Sequence, residues 1–255
     1  MSIIGVIPAR WQSCRFPGKP LANILGKSLI QWTYENSIKS RLLDRLVVAT
    51  DDQRIYDHVE EFGGEVFMTS KECPSGTDRI AELMEKQFFE AEIVVNIQGD
   101  EPCLNPSFIE QLVKKMQDTS EAVLTTLLAK LHSHSDVFNP NVVKCVFDKQ
   151  QRALYFSRAP IPFSATHVDC DHYRHLGVYC FRRDFLLKFR QLEPSPLQKT
   201  EDLEQLKVLE SGYPIHCCLV EDQTIGVDTP DDLKKIETIL CRANTSSSPA
   251  VLSPL

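Results

Sequence analysis

The sequence predicts an α/β fold: a mixed, mostly parallel sheet flanked by helices, with a smaller lobe added in the second half. Three observations predict it. Short apolar runs (Ile3 to Ile7, Leu46 to Thr50, Glu65 to Met68, Ile93 to Gln98) alternate with stretches of helical spacing. The runs are nearly continuous in apolar residues, as strands buried on both faces are. Turn and cap residues mark the changes, above all Gly63-Gly64 and Gly99-Asp100-Glu101-Pro102.

Each element follows in order. Ile3 to Ile7 runs into a loop rich in cations and prolines. Leu29 to Ser40 is helical by the spacing of Leu29, Ile30, Thr33, Tyr34 and Ile38. Leu46 to Thr50 is a strand, then Asp51-Asp52 opens an amphipathic helix that Gly63-Gly64 ends. Glu65 to Met68 is a strand and Ile80 to Phe89 a helix. Ile93 to Gln98 is a strand, and Pro106 to Met116 a helix with proline in its first turn. The second half is less regular. Ala122 to Ala129, Val142 to Phe147, Ala153 to Phe156, Leu176 to Phe181 and Ile215 to Val220 read as strands, and Leu197 to Glu210 and Asp231 to Leu240 as helices. No linker-like stretch separates the halves, so residues 1–241 are expected to form one domain. Residues 242–255 (RANTSSSPAVLSPL) are polar and small with two prolines, which predicts a disordered tail.

The bulk numbers exclude several classes. The chain has 255 residues, 42% hydrophobic and 25% charged, with net charge −7 and pI near 5.5. That argues against a general nucleic-acid binder, which needs a basic field over a whole face. The first apolar run is too short for a signal-peptide core and no stretch reaches bilayer length, so a cytoplasmic protein without membrane insertion is expected. The nine cysteines are scattered, with no C-x-x-C pair. They predict free thiols in a reducing compartment and no structural zinc. The sequence contains no G-x-x-x-x-G-K-[ST], G-x-G-x-x-G or H-E-x-x-H. Those absences argue against a P-loop nucleotidase, a dinucleotide-binding oxidoreductase and a zincin.

Against this acidic background the first loop stands out. No acidic residue precedes Glu35, and Arg10, Arg15 and Lys19 follow the first strand four or five residues apart. Pro8, Pro17, Gly18 and Pro20 fix the backbone between them. A strand leading into a stiffened cationic loop and then a helix suits a multiply charged phosphate chain. A basic surface loop is the competing reading.

Asp100 and Asp228 both follow apolar strand-like runs, VVNIQGD and TIGVD, so both belong at the carboxyl edge of the sheet. Two carboxylates beside a phosphate loop suit Mg²⁺, which takes one or two protein carboxylates and completes its shell with phosphate oxygens and water. Around Asp228, helix capping by Thr229, Pro230, Asp231 and Asp232 competes with this reading but leaves Asp228 itself unused. Asp51-Asp52 is a rival metal site for which capping is the stronger reading. Ser75-Gly76-Thr77-Asp78-Arg79 opens a helix and can hold a base edge or phosphate, with capping by Thr77 or Asp78 as the alternative. Arg158 carries a planar fork suited to a carboxylate. His175 and Tyr179 share a face if their segment is a strand. A satisfied structural histidine and a solvated Glu204-Gln205 pair are the default readings there.

The motifs IPAR-x-x-S-x-R-x-PGKPL, ATDD, SGTDR, VVNIQGDEP, NPNVVK, YFSRAPIP, RHLGVY, PSPL, LEQL and GVDTPDDL occur in this order. Together they resemble those of the 3-deoxy-manno-octulosonate cytidylyltransferases, or CMP-Kdo synthetases, over about residues 2 to 240. The resemblance implies a Rossmann-like nucleotidyltransferase fold of the glycosyltransferase-A type, working as a homodimer. It implies coupling of CTP to the acid sugar Kdo with Mg²⁺, releasing pyrophosphate and CMP-Kdo for lipopolysaccharide assembly. Carried onto this sequence, it gives Arg10, Arg15 and Lys19 to the triphosphate and Ser75, Arg79 and Gln98 to the cytidine. It gives Asp100 and Asp228 to Mg²⁺, and Arg158, His175, Tyr179, Glu204 and Gln205 to Kdo. Catalysis is expected from Arg10, Arg15, Lys19, Asp100 and Asp228. Cys14 stands where a small hydroxyl residue is commoner. The rival readings are a CMP-sialic acid synthetase, a hexose-1-phosphate nucleotidyltransferase and an inactive nucleotide-binding module.

Overall fold

In the computed structural model, residues 1–12, 16–88, 90–165, 170–221, 226, 227 and 229–246 are described. Strand β1 (Ser2–Ala9) is a charge-free apolar run that pairs in parallel with β4 (Arg45–Thr50) on one side and β6 (Ala91–Asn96) on the other. Strand β5 (Glu65–Met68) adds in parallel to β4. Beyond β6 the direction reverses. Strand β10 (Tyr173–Arg182) is antiparallel to both β6 and β7 (Leu124–Lys130), and β11 (Ile215–Val220) extends β7 in parallel. The order is β11-β7-β10-β6-β1-β4-β5. A hairpin of β8 (Lys144–Phe147) and β9 (Ala153–Ser157) pairs with the start of β10, which makes nine strands. A small ribbon, β2 (Asn23–Ile24) with β3 (Lys27–Ser28), precedes the first helix. Strands of two residues leave no periodicity to read.

Helices cover both faces of the sheet. On one face, α1 (Leu29–Ser37), α2 (Gln53–Glu61) and α4 (Pro106–Asp118) contribute Ile30, Ile55, Val59, Phe108, Ile109 and Leu112, which pack with Ile3 and Ile7 of β1. On the other, α3 (Gly76–Lys86), α6 (Arg183–Gln191) and α8 (Leu206–Glu210) contribute Ile80, Met84, Phe185, Phe189 and Leu206, which pack with Ile4 and Val6. Alternate residues of β1 thus enter two different cores, which is why its sequence is apolar without interruption. Two short helices, α5 (His134–Phe138) and α7 (Pro196–Glu201), sit in connections. The last helix, α9 (Pro230–Ser246), lays Ile236 and Leu240 on Ile24, Leu29 and Val227.

Several boundaries differ from the sequence reading, each for a physical reason. Helix α3 starts at Gly76 rather than Ile80 because the Ser75 side chain accepts from the Asp78 N–H as its cap. The single helix expected over Leu197 to Glu210 is two. Asp202 ends α7 in the left-handed conformation, φ 54°, and α8 resumes only at Leu206. Helix α6 was not expected, because its apolar residues follow directly on those of β10. The tail predicted as disordered from residue 242 begins as helix, since α9 runs on through Ser246 from an anchored core turn. Residues 247–255 lie outside the described residues.

Lys144 explains how the β8–β9 hairpin is fixed. Its side chain is fully buried, and its ammonium donates to the carbonyls of Asn139, Val142 and Arg158 at 3.0, 2.6 and 2.6 Å. Burial pushes its pKa below the ordinary lysine value. Three carbonyls from both ends of the hairpin thus share one cation. Lys144→Met should leave all three without that donor and destabilise the protein by about 2–4 kcal/mol, read from urea unfolding. A variant as stable as wild type would remove Lys144 as the anchor.

Candidate active site

The carboxyl ends of β1, β4 and β6 open on one edge of the sheet. Because β10 is antiparallel to them, it brings its beginning to the same edge. Two adjoining clefts lie there.

The first cleft, about 260 Å³, is lined by Arg10, Lys19, Cys73, Ser75, Arg79, Gln98 and Asp100 among others. Arg10 directly follows β1 and is exposed. Its loop turns at Gly18, φ 71°, whose N–H donates to the Trp11 carbonyl at 3.0 Å. A Cβ at Gly18 would come within 2.9 Å of the Trp11 ring, so glycine is required twice over. Pro17, before the turn, and Pro20, in the following 3₁₀ turn (Lys19–Leu21), stiffen the path. That turn aims Lys19 into the cleft, where Nζ lies 2.5 Å from Asp100 Oδ2 and 2.9 Å from the Val227 carbonyl. The Val227 N–H in turn donates to the Asp100 carbonyl at 2.9 Å. Those two segments, distant in sequence, meet at the head of the cleft. Arg15 and Asp228 lie outside the described residues.

Ser75 and Arg79 come from the first turn of α3. Ser75 is the cap, in place of the predicted Thr77 or Asp78, and its hydroxyl lies 2.7 Å from Asp78 Oδ2. Arg79 is 3% exposed and donates to Asp51 Oδ2 at 2.8 Å, as well as to Thr69 Oγ1. Asp52 caps α2, accepting from the Arg54 N–H at 3.0 Å. The two neighbouring acids therefore divide the work: one caps a helix, and the other fixes the arginine of the cleft. Cys73 also lines the cleft. Burial and the adjacent Glu82 push its thiol up to about 11, so it is a donor there and not a thiolate.

The second cleft is lined by Asn141, Arg174, His175, Tyr179, Glu204 and Gln205, with Gln98 common to both clefts. Gln98 Nε2 donates to the Gly177 carbonyl at 3.0 Å. Register shifts between Leu176 and Tyr179, and this bulge keeps His175 and Tyr179 on one face, ring centroids 5.3 Å apart. Thr126 sits in the bulge. Its hydroxyl lies 3.0 Å from the Val178 carbonyl and 3.3 Å from that of Leu176, both acceptors, and 2.9 Å from His175 Nε2. An amide N–H can only donate, so the contact with Gln205 Nε2 makes His175 Nδ1 the acceptor and puts the neutral ring's hydrogen on Nε2, towards Thr126. His175 Nδ1 then accepts from Gln205 Nε2 at 3.5 Å, and Gln205 Oε1 accepts from the Tyr179 hydroxyl at 3.2 Å. Burial, with Arg174 beside it, pushes the His175 pKa down to about 3. The ring is therefore neutral at physiological pH. Glu204 and Gln205 face this cleft because the chain leaves the helical path at Asp202, the break that a continuous helix reading misses.

Arg158 stands apart from the other residues expected at the sugar. It is not among the lining residues of either cleft. Its guanidinium donates to the carbonyls of Glu201, Pro140 and Asp202 at 2.7, 3.1 and 3.3 Å. Arg174, which the sequence reading passed over, lines the cleft instead. Its place one residue before His175 at the start of an antiparallel strand was the signal available.

Among its described lining residues the first cleft has one carboxylate, Asp100, a hard oxygen ligand of the kind Mg²⁺ takes. Its Oδ2 and the Val227 carbonyl hold the Lys19 ammonium. Among the described residues no three side chains of His, Cys, Asp or Glu are grouped as metal ligands. A site with few protein carboxylates and a polyphosphate neighbour is the kind Mg²⁺ uses.

A doubly covered α/β sheet with a phosphate-type loop and a second polar cleft at one edge is a nucleotidyltransferase architecture. The family model for cytidylyltransferases matches residues 4–224. The chain is 53% identical to 3-deoxy-manno-octulosonate cytidylyltransferase of Chlamydia abortus, over 95% of this chain and 96% of that one. It is 50% identical to the enzyme of that name from Protochlamydia amoebophila, with the same coverage. The chain belongs to the 3-deoxy-manno-octulosonate cytidylyltransferase family, within the cytidylyltransferases. A solved CMP:2-keto-3-deoxy-manno-octonic acid synthetase complexed with CTP superposes with TM-score 0.91 at 39% identity, covering 95% of this chain and all of that one. A 4-diphosphocytidyl-2C-methyl-D-erythritol synthase from Anaerococcus prevotii, 12% identical with TM-score 0.63 over 94% of this chain and 99% of that one, shares the fold. No helix among the described residues is long and apolar enough to cross a membrane.

Burial raises the pKa of Glu204, while the Thr77 hydroxyl and Lys207 work in the other direction. A carboxyl whose pKa is raised by folding stabilises the fold below its unfolded value, and that contribution is lost as pH rises through the folded value. Glu204→Gln keeps an acceptor for Thr77 and cannot ionise. Its Tm relative to wild type should therefore climb as pH rises from about 4.5, the ordinary value, through the raised folded value. A constant difference across that range would contradict the burial argument.

Proposed function

We propose that the protein transfers the cytidylyl group of CTP to Kdo, giving CMP-Kdo and pyrophosphate. The observation that carries this reading is the shared wall of the two clefts at Gln98. A base with its triphosphate and a polyhydroxy acid can meet there with no space between them. The names of the relatives and the CTP in the superposed synthetase support the same pairing.

In this reading the anomeric 2-hydroxyl of Kdo attacks the α-phosphorus in line. A C–O–P linkage forms, the bond to the β-phosphate breaks and the hydroxyl proton leaves. Positioning and neutralisation of charge are what such transfers need most. Arg10, Lys19 and Arg15 oppose the charge that grows on pyrophosphate. Ser75, Arg79 and Gln98 orient the cytidine, Arg79 being held for it by Asp51. His175, Tyr179, Glu204 and Gln205 hold the sugar, with Arg158 behind them. Asp100 and Asp228 would hold Mg²⁺, which when bound neutralises phosphate charge and favours ionisation of the attacking hydroxyl. Lys19 then exchanges Asp100 for phosphate oxygen. We further propose a cytoplasmic homodimer acting in lipopolysaccharide assembly.

Pyrophosphate release from CTP and Mg²⁺ should appear with Kdo and be absent with sialic acid or without sugar. Asp100→Asn and Asp228→Asn should each remove most of that release with the fold intact by circular dichroism. Release with sialic acid alone would replace the sugar assignment, and no release with either would favour an inactive binding module. Lys19→Ala should lower kcat/KM for CTP by ten- to a hundredfold, the worth of about 1.5–3 kcal/mol for one contact to a charged partner. Unchanged steady-state kinetics would reduce the loop to a basic surface feature.

A further inference from the structure

Thr77 lines neither cleft, yet it joins them. It is the second residue of α3, between the Ser75 cap and Arg79 that line the nucleotide cleft, and is 1% exposed. Its hydroxyl donates to Glu204 Oε1 at 2.7 Å. Behind it, Asn96 Nδ2 donates to the same hydroxyl at 3.4 Å. Asn96 is also 1% exposed, lies two residues before Gln98, and is in register with Tyr179 of β10. The donor directions are set by chemistry. An amide N–H can only donate, and the one hydroxyl proton is left for the carboxyl.

The start of α3 has little room to move. A Cβ on Gly76 would come within 3.2 Å of the Pro8 ring, at the end of the strand that carries Arg10. Gly76, the residue before Thr77, therefore lies close against the end of β1, and among the described residues Thr77 supplies the hydrogen bond to the Glu204 carboxyl. Nothing in the helical pattern of α8 can do this, because Glu204 precedes that helix.

We infer that Thr77 is a positioning residue for the sugar: its buried hydroxyl fixes one oxygen of Glu204 and leaves the other to accept a sugar hydroxyl. Asn96 sets the direction of that hydroxyl. The inference rests on the reading of Glu204 as a Kdo contact. A helix start that serves the nucleotide thereby also shapes the sugar cleft.

The test is steady-state kinetics of pyrophosphate release with wild type, Thr77→Val and Thr77→Ser, varying CTP and Kdo separately. Thr77→Val keeps the shape and removes the hydroxyl. It should raise KM for Kdo about tenfold, the low end for a lost hydrogen bond to a charged partner, with KM for CTP within about twofold of wild type. Thr77→Ser should restore KM for Kdo. If Thr77→Val fails to fold, Thr77→Ala serves the same comparison. In a Glu204→Ala background, Thr77→Val should add nothing further to KM for Kdo. An unchanged KM for Kdo in Thr77→Val, an equal rise in both KM values, or full additivity with Glu204→Ala would overturn the inference while the Kdo reading stands. Absence of turnover with Kdo in wild type would overturn both.

Discussion

Because β10 runs antiparallel between β6 and β7, its first residues meet the edge of the sheet where β1, β4 and β6 end. The second cleft depends on this reversal. In a wholly parallel sheet, Arg174 and His175 would emerge at the far edge, away from Gln98 and Asp100. The bulge around Gly177 then keeps His175 and Tyr179 side by side, and Thr126 fills it with a hydroxyl that satisfies the displaced carbonyls. The Gly177 carbonyl, turned by the same bulge, holds Gln98 in the shared wall. One local irregularity thus builds the second cleft and its join to the first.

The first cleft depends on charge. The chain as a whole is acidic, and no acid precedes Glu35. Its loop is held by covalent stiffness and packing: two prolines, a left-handed glycine against Trp11, and Arg54 stacked 3.4 Å from the Trp11 ring. Lys19 is seated on Asp100 and the Val227 carbonyl, so that cation, carboxylate and the segment leading to Asp228 form one unit. With the loop backbone fixed in advance, the change left for an arriving anion is the release of Lys19 from Asp100.

Much of this was legible in the sequence. The parallel half could be read strand by strand because each strand is buried on both sides, and β5 and β11 keep the expected limits. Gly63 ends α2 with φ 79°, as a terminal glycine should. The cationic loop and Asp100 were visible because their composition breaks with the rest of the chain. The second cleft was not, for reasons of period and register. Glu204 and Gln205 sit between leucines in a pattern that reads as one solvated helix, and only the left-handed turn at Asp202 brings them inward. His175 looks like any strand histidine until the bulge is seen. Thr77 reads as a helix-cap candidate, whereas Ser75 caps and Thr77 reaches across to a residue far away in sequence. Partners of that kind leave no trace in local spacing.

The chain of hydrogen bonds from Thr126 through His175 and Gln205 to Tyr179 has a direction. The Gln205 amide fixes it: its Nε2 can only donate to His175 and its Oε1 can only accept, so the Tyr179 hydroxyl spends its only proton there. What meets the Tyr179 oxygen from the cleft therefore meets lone pairs. The same holds at the Glu204 oxygen that Thr77 leaves uncovered. The same cleft is also lined by Arg174 and Asn141, which bring N–H donors. It can therefore receive a molecule that carries both O–H groups and an acid, each at groups of the opposite hydrogen-bonding sense.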